Sequence, residues 1–129
     1  MKTLTSIFIT VVVLLFSESE AFSQSDAMNY SDCVEKYRSG WGEDCSQCVN
    51  YNDSYVVYLK NTCDQAIDVM VCVQEETKDW KRFQHTSMAS GDSLRAYACI
   101  GTGKYLAWAR RAGDESVIFP SIEQVNADY

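Results

Sequence analysis

A small antiparallel β-sandwich, all-β apart from a short N-terminal helix and stabilised by disulfides, is the fold this sequence predicts. Three observations carry that expectation. From Ser54 to Phe119 the chain reads as runs of alternating, β-branched and aromatic residues separated by turn chemistry. The sequence contains six cysteines. Its first residues have the pattern of an export signal, and an exported chain meets an oxidising compartment where thiols pair.

In chain order, Met1-Lys2 is a short basic start and Ile7 to Phe16 an apolar core. Ala21-Phe22-Ser23 places small residues at the −3 and −1 positions of a cleavage site before Gln24. Residues 1–23 are therefore read as a signal peptide. Glu18 and Glu20 interrupt the apolar run short of the roughly 20 residues a bilayer span needs, so no membrane insertion is expected after cleavage. Residues 24–53 form an N-terminal cysteine-containing segment. Within it Asp32-Cys33-Val34-Glu35 has the pattern of a capping box, predicting a short helix from Cys33 to Arg38 that Gly40-Trp41-Gly42 ends.

Residues 54–120 form the predicted antiparallel β-domain. The first strand runs to Lys60. The second alternates, with Ile67, Val69, Val71 and Val73 on the side expected to face the core. Glu75 to Asp79 is a charged hairpin loop, and Trp80 to His85 is a more polar strand suited to an edge. Gly101-Thr102 suits a type II′ hairpin turn. That register pairs Ile100 with Gly103 and sets Arg95 opposite Trp108. Both faces of such a hairpin are apolar at their centres, as in the middle of a sandwich. Val117 to Phe119 is a last short strand stopped by Pro120, and residues 121–129 are a C-terminal tail with helical character.

The charge balance narrows the function. Eleven Lys and Arg against 18 Asp and Glu give a net charge of −7. That is the wrong sign for a nucleic-acid partner. Catalytic equipment is sparse. His85 is the single histidine and no G-x-S-x-G elbow accompanies it. Gly101-Thr102-Gly103-Lys104 lacks the remainder of a phosphate loop. Cys45-x-x-Cys48 matches a dithiol redox pair, but Glu43 and Asp44 bring the wrong charge for a thiolate and no βαβ scaffold surrounds it. The run Cys45, Cys48, Cys63 and Cys72 has zinc-like spacing, yet oxidation competes with metallation after export. No metal or cofactor is expected.

Cys33, Cys45, Cys48, Cys63, Cys72 and Cys99 are instead expected to form three disulfides. The preferred pairing joins Cys33 to the Cys45/Cys48 loop and Cys99 to Cys63 or Cys72. Asn29-Tyr30-Ser31 and Asn52-Asp53-Ser54 match the N-glycosylation pattern in loops. The functional expectation is a secreted or periplasmic, non-enzymatic binding module acting on a protein partner outside the cytoplasm, in the manner of an inhibitor or immunity protein. Trp108, Arg110, Arg111 and Arg95 are the expected contact residues, because Trp and Arg dominate interface hot spots. A carbohydrate-binding module using aromatic platforms, and a thiol oxidoreductase using Cys45 and Cys48, are the alternatives.

Overall fold

The computed structural model describes residues 28–45 and 47–129. The signal peptide read at residues 1–23 lies outside the described residues. A 3-10 turn at Tyr30–Cys33 is followed by six strands and a helix: β1 Val34–Trp41, β2 Tyr55–Asn61, β3 Ile67–Glu75, β4 Trp80–Met88, β5 Ser93–Ala98, β6 Gly101–Arg111 and α1 Ile122–Asp128. The strands make two antiparallel three-stranded sheets, ordered β1-β2-β5 and β4-β3-β6. Among the described residues no helix is long and apolar enough to cross a membrane.

The alternation read in β3 places its residues as expected. Ile67, Val69, Val71 and Val73 join Tyr55, Val57 and Leu59 of β2 in one buried cluster that draws on both sheets. The flanking strands contribute small residues to it: Ala96 and Ala98 from β5, Ala107 and Ala109 from β6. Ala96 lies opposite Val57 and Ala107 opposite Val71, so large and small side chains alternate across each sheet. The Met70 and Cys72 side of β3 is buried too. A central strand covered on both faces needs a second layer, and α1 supplies it: Val125 and Ile122 pack on Met70, Cys72 and Trp80. Ser121 caps this helix, accepting from the Gln124 N–H while the Gln124 side chain accepts from the Ser121 N–H.

Two buried polar side chains fix the connections. Asn61 is fully buried. Its Nδ2 donates to the carbonyls of Gln65 (2.8 Å) and Met88 (3.0 Å), and its Oδ1 accepts from the Cys63 N–H. It thereby ties the end of β2 to the end of β4 in the other sheet. Asp68 sits at an irregularity where Thr86 and Ser87 of β4 together face it, and Ser87 has φ 51°. The freed Ser87 N–H donates to Asp68 Oδ1 (2.9 Å), while Arg110 Nε (3.0 Å) and the Gly113 N–H (3.2 Å) donate to Oδ2.

Three expectations about the elements are corrected. The predicted helix from Cys33 to Arg38 is instead strand β1: its pairing with β2 outweighs the local capping signal, and the real cap is Asn29, which accepts from the Ser31 N–H. Among the described residues the α-helix is the C-terminal one. The Gly101-Thr102 hairpin does not form: β5 pairs with β2 and β6 with β3, so the chain crosses between sheets at Cys99-Ile100. Gly101 is needed for closeness, since a Cβ there would lie 2.5 Å from Cβ of Tyr55. Val117 to Phe119 is not a strand but irregular chain leading into α1.

The third disulfide is absent as well, and neither expected pairing forms: Cys33 does not join the Cys45/Cys48 loop, nor Cys99 either Cys63 or Cys72. Cys33 bonds Cys63 and Cys48 bonds Cys99, with Cα–Cα distances of 5.2 and 5.4 Å, while Cys45 and Cys72 are free thiols. Cys45 and Cys72 belong to separate clusters on the outer sides of different sheets, which rules out a bond between them.

Candidate functional site

Residues 42–45 and 47–54 run over the outer face of the β1-β2-β5 sheet and bring most of the chemistry of the described residues together. Tyr58, on β2, lies opposite Arg38 of β1 and Arg95 of β5. The guanidinium carbons of Arg38 and Arg95 stand 4.6 and 5.9 Å from its ring centroid. Its hydroxyl donates to Glu43 Oε2 at 2.6 Å and accepts from Arg95 Nε at 3.3 Å. Arg38 forms an ion pair with the same Glu43 carboxylate. The Tyr58 hydroxyl, and then Arg38, hold the Glu43 carboxyl below its usual range against the opposing effect of its desolvation.

Next to this network is the Cys45 thiol, buried among Val56, Tyr97, Tyr58 and the Cys48–Cys99 disulfide. Cys45 Sγ donates to the Glu43 carbonyl at 3.4 Å. Arg95 reaches over it: its guanidinium donates to the Asp44 carbonyl and also interacts with the Cys45 sulfur. Desolvation works against the Arg95 charge, but Tyr58 and then Cys45 more than offset it. The Cys48 N–H donates to the Cys45 carbonyl at 2.9 Å, closing the Cys-x-x-Cys segment into a turn. Glu43 is thus engaged elsewhere, and the cation beside Cys45 comes from a strand about fifty residues away in sequence.

The disulfide leads to an exposed apolar end. Val49 is wholly exposed, and it lines a cleft of about 320 Å³ with Gln47, Asn50, Asp53, Cys99 and Ile100. Ile100 precedes Gly101, whose N–H donates to the Asp53 carbonyl and whose backbone abuts Tyr55. Trp41 is 58% exposed and packs at a tilt against Tyr55, with ring centroids 5.0 Å apart. Gly103 has φ 85°, and a Cβ there would come 3.1 Å from Trp41, so glycine is what lets the indole approach the chain this closely. Carboxylates ring this end: the Glu75 side chain accepts from the Ile100 N–H, the Glu76 N–H donates to the Ile100 carbonyl, and Asp53 lies across the cleft. Lys78, in the same hairpin as Glu75 and Glu76, offsets part of that charge.

A second cleft, of about 410 Å³, opens beside the end of α1. It is lined by Gln74, Trp80, Lys104, Tyr105, Leu106 and Tyr129, among others. The buried Trp80 indole N–H has no hydrogen-bond partner.

The sequence-predicted contact residues are split. Arg95 lies on the first sheet, while Trp108, Arg110 and Arg111 lie on β6 of the second. Trp108 packs against the α1 cluster and edge-on to Tyr129. Arg110 is used internally: it pairs with Asp68, donates to the Val117 carbonyl and lies 5.2 Å from the Phe119 ring centroid. Arg111 is exposed. Val49 and Ile100 escaped the sequence reading because each sits in a turn-like context, and exposure has no periodicity there; Trp41 ends strand β1, where the sequence predicts the stop of a helix. Among the described residues, no three His, Cys, Asp or Glu side chains gather closely enough to hold a metal ion. No family model, curated protein or solved structure matches the chain.

Proposed function

We propose that this chain is a secreted or periplasmic β-sandwich, its two sheets stacked on the shared core, that binds a protein partner through its Trp41–Val49–Ile100 end. The observation that carries the reading is the exposure of three apolar side chains at one end: Val49 and Ile100 line a common cleft, and Trp41 packs on Tyr55, the residue that Gly101 abuts. An apolar centre with a polar rim is the anatomy of a protein-binding surface, and Trp is enriched among hot spots. The carboxylates of Asp53, Glu75 and Glu76 at the rim select a partner that surrounds an apolar knob with Lys or Arg. The disulfides fit an oxidising compartment. The thiol oxidoreductase reading gains little, because Cys48 is bonded to Cys99 and the Cys45 thiol is buried away from external disulfides.

The test is affinity capture from the extracytoplasmic fraction of the producing organism, followed by titration of the purified partner. Trp41→Ala and Ile100→Asp are each expected to weaken binding about tenfold or more with the thermal midpoint little changed. Arg111→Ala is expected to bind as the parent does, and raising the salt should weaken binding by the parent. Equal binding by the parent, Trp41→Ala and Ile100→Asp would refute the surface.

The aromatic lining of the other cleft, with Trp80, Tyr105 and Tyr129 around one opening, favours a second reading of it as a glycan site. Glycan-induced tryptophan quenching that Tyr129→Ala removes would support it. No quenching across soluble glycans would dismiss it.

A further inference from the structure

We infer that Cys45 is an internal nucleophile for the Cys48–Cys99 disulfide, so that the chain holds two interconvertible disulfide forms. Three sulfurs occupy one cluster, and only one of them is a thiol. The Cys48 N–H bond to the Cys45 carbonyl closes an i to i+3 turn. Such a turn holds the two Cα atoms within about 7 Å, a span a disulfide bridges.

The step balances without any outside oxidant. Cys45 gives its proton to solvent, and its sulfur attacks the Cys48 sulfur. A Cys45–Cys48 bond forms, the Cys48–Cys99 bond breaks, and Cys99 leaves as a thiolate that takes a proton from solvent. Arg95, whose guanidinium donates to the Asp44 carbonyl, places its positive charge beside the sulfur that must become the attacking thiolate. Burial keeps Cys45 from external thiols and oxidants, but an attack from within the same cluster needs neither of them to reach it, only water to carry the proton. Cys48 and Cys99 are only half-buried, so the released thiol can be trapped at the surface.

The other free thiol is an internal control. Cys72 is fully buried, and burial pushes its pKa up to about 11, with Arg82 only partly opposing. Exchange would also cut the covalent link between residues 43–54 and the end of β5, next to Ile100.

The experiment uses the full exported chain, folded and never reduced. It is incubated at pH 8 with excess N-ethylmaleimide, sampled over time, quenched in acid and mapped by trypsin and mass spectrometry without reduction. Residues 39–60 form one tryptic peptide that carries both Cys45 and Cys48. The expected result is growth of this peptide with an internal disulfide, in step with maleimide on Cys99, while Cys72 stays unlabelled. Cys45→Ser should lower Cys99 labelling at least tenfold, and Arg95→Gln should slow it. Three results would overturn the inference: Cys99 unlabelled in the parent chain, maleimide on Cys45 with Cys48–Cys99 intact, or maleimide on Cys48. Because the internally bonded peptide is read in the parent chain itself, the result stands even if Cys45→Ser fails to fold.

Discussion

The two free thiols sit on the outer sides of the two central strands' sheets, and their surroundings differ in kind. Cys72 lies under α1 among Met70, Trp80, Leu106 and Val125, an apolar setting that leaves it inert. Cys45 lies under residues 42–54, beside a guanidinium, a phenol and a disulfide. The same contrast runs through the two covers. The β4-β3-β6 sheet is covered by a capped helix held through apolar packing. The β1-β2-β5 sheet is covered by irregular chain held through a covalent bond and the Glu43–Tyr58–Arg38 network. Irregular chain has few ladder hydrogen bonds and little apolar area of its own, so a cross-link takes the place of packing. Chemistry therefore collects on the side where packing is weak.

The comparison can be broken from either side. The largest effect is expected from Cys45→Ser, Cys48→Ser and Cys99→Ser together, which removes a link spanning 51 residues. Loop-closure entropy puts its contribution at about 4 kcal/mol, readable as a shift in the urea midpoint. Asp68→Ala should cost about 3 kcal/mol in the same assay, since it strands Arg110 and the Ser87 and Gly113 N–H groups. Val125→Ala, beneath the helical cover, should cost about 2 kcal/mol and leave Cys99 labelling unchanged.

The smallest effect is a pH dependence. Glu43 and Asp68 both titrate below their ordinary range when folded. For Asp68, burial opposes this, but the Ser87 N–H, Arg110 and the Gly113 N–H more than offset it. A carboxyl with a depressed folded pKa contributes stability that is fully present above its unfolded value, about pH 4, and is lost as pH falls through the folded one. Stability should decline on acidification from about pH 4 downward, and Glu43→Gln should flatten part of that decline.

Much of the fold was legible in the sequence where burial imposes a period. The Ile67, Val69, Val71, Val73 set reads as core because every second residue of β3 meets the other sheet. Trp80 to His85 reads as an edge because it is the more polar strand, and β4, which runs on to Met88, does lie at an edge. The failures came from local signals that tertiary structure overrode. Asp32 and Glu35 carry helix-capping chemistry, but Val34 onward is held by β2. Gly101-Thr102 carries turn chemistry, but the preceding pair of residues carries the chain to the other sheet. Of the site, the sequence points to Arg95 and to the Cys45/Cys48 pair, yet their meeting depends on the β2–β5 register, which no local pattern encodes. Arg110 was named for contacts outside the chain, and the structure gives it Asp68 within.

The most direct measurement is the cysteine connectivity of the native chain, alkylated in acid immediately after purification and mapped without reduction. Bonds between Cys33 and Cys63 and between Cys48 and Cys99, with free thiols at Cys45 and Cys72, are the expected result. A third bond, or one joining Cys33 to Cys45 or Cys48, would contradict both the cover of the first sheet and the sheet order built beneath it.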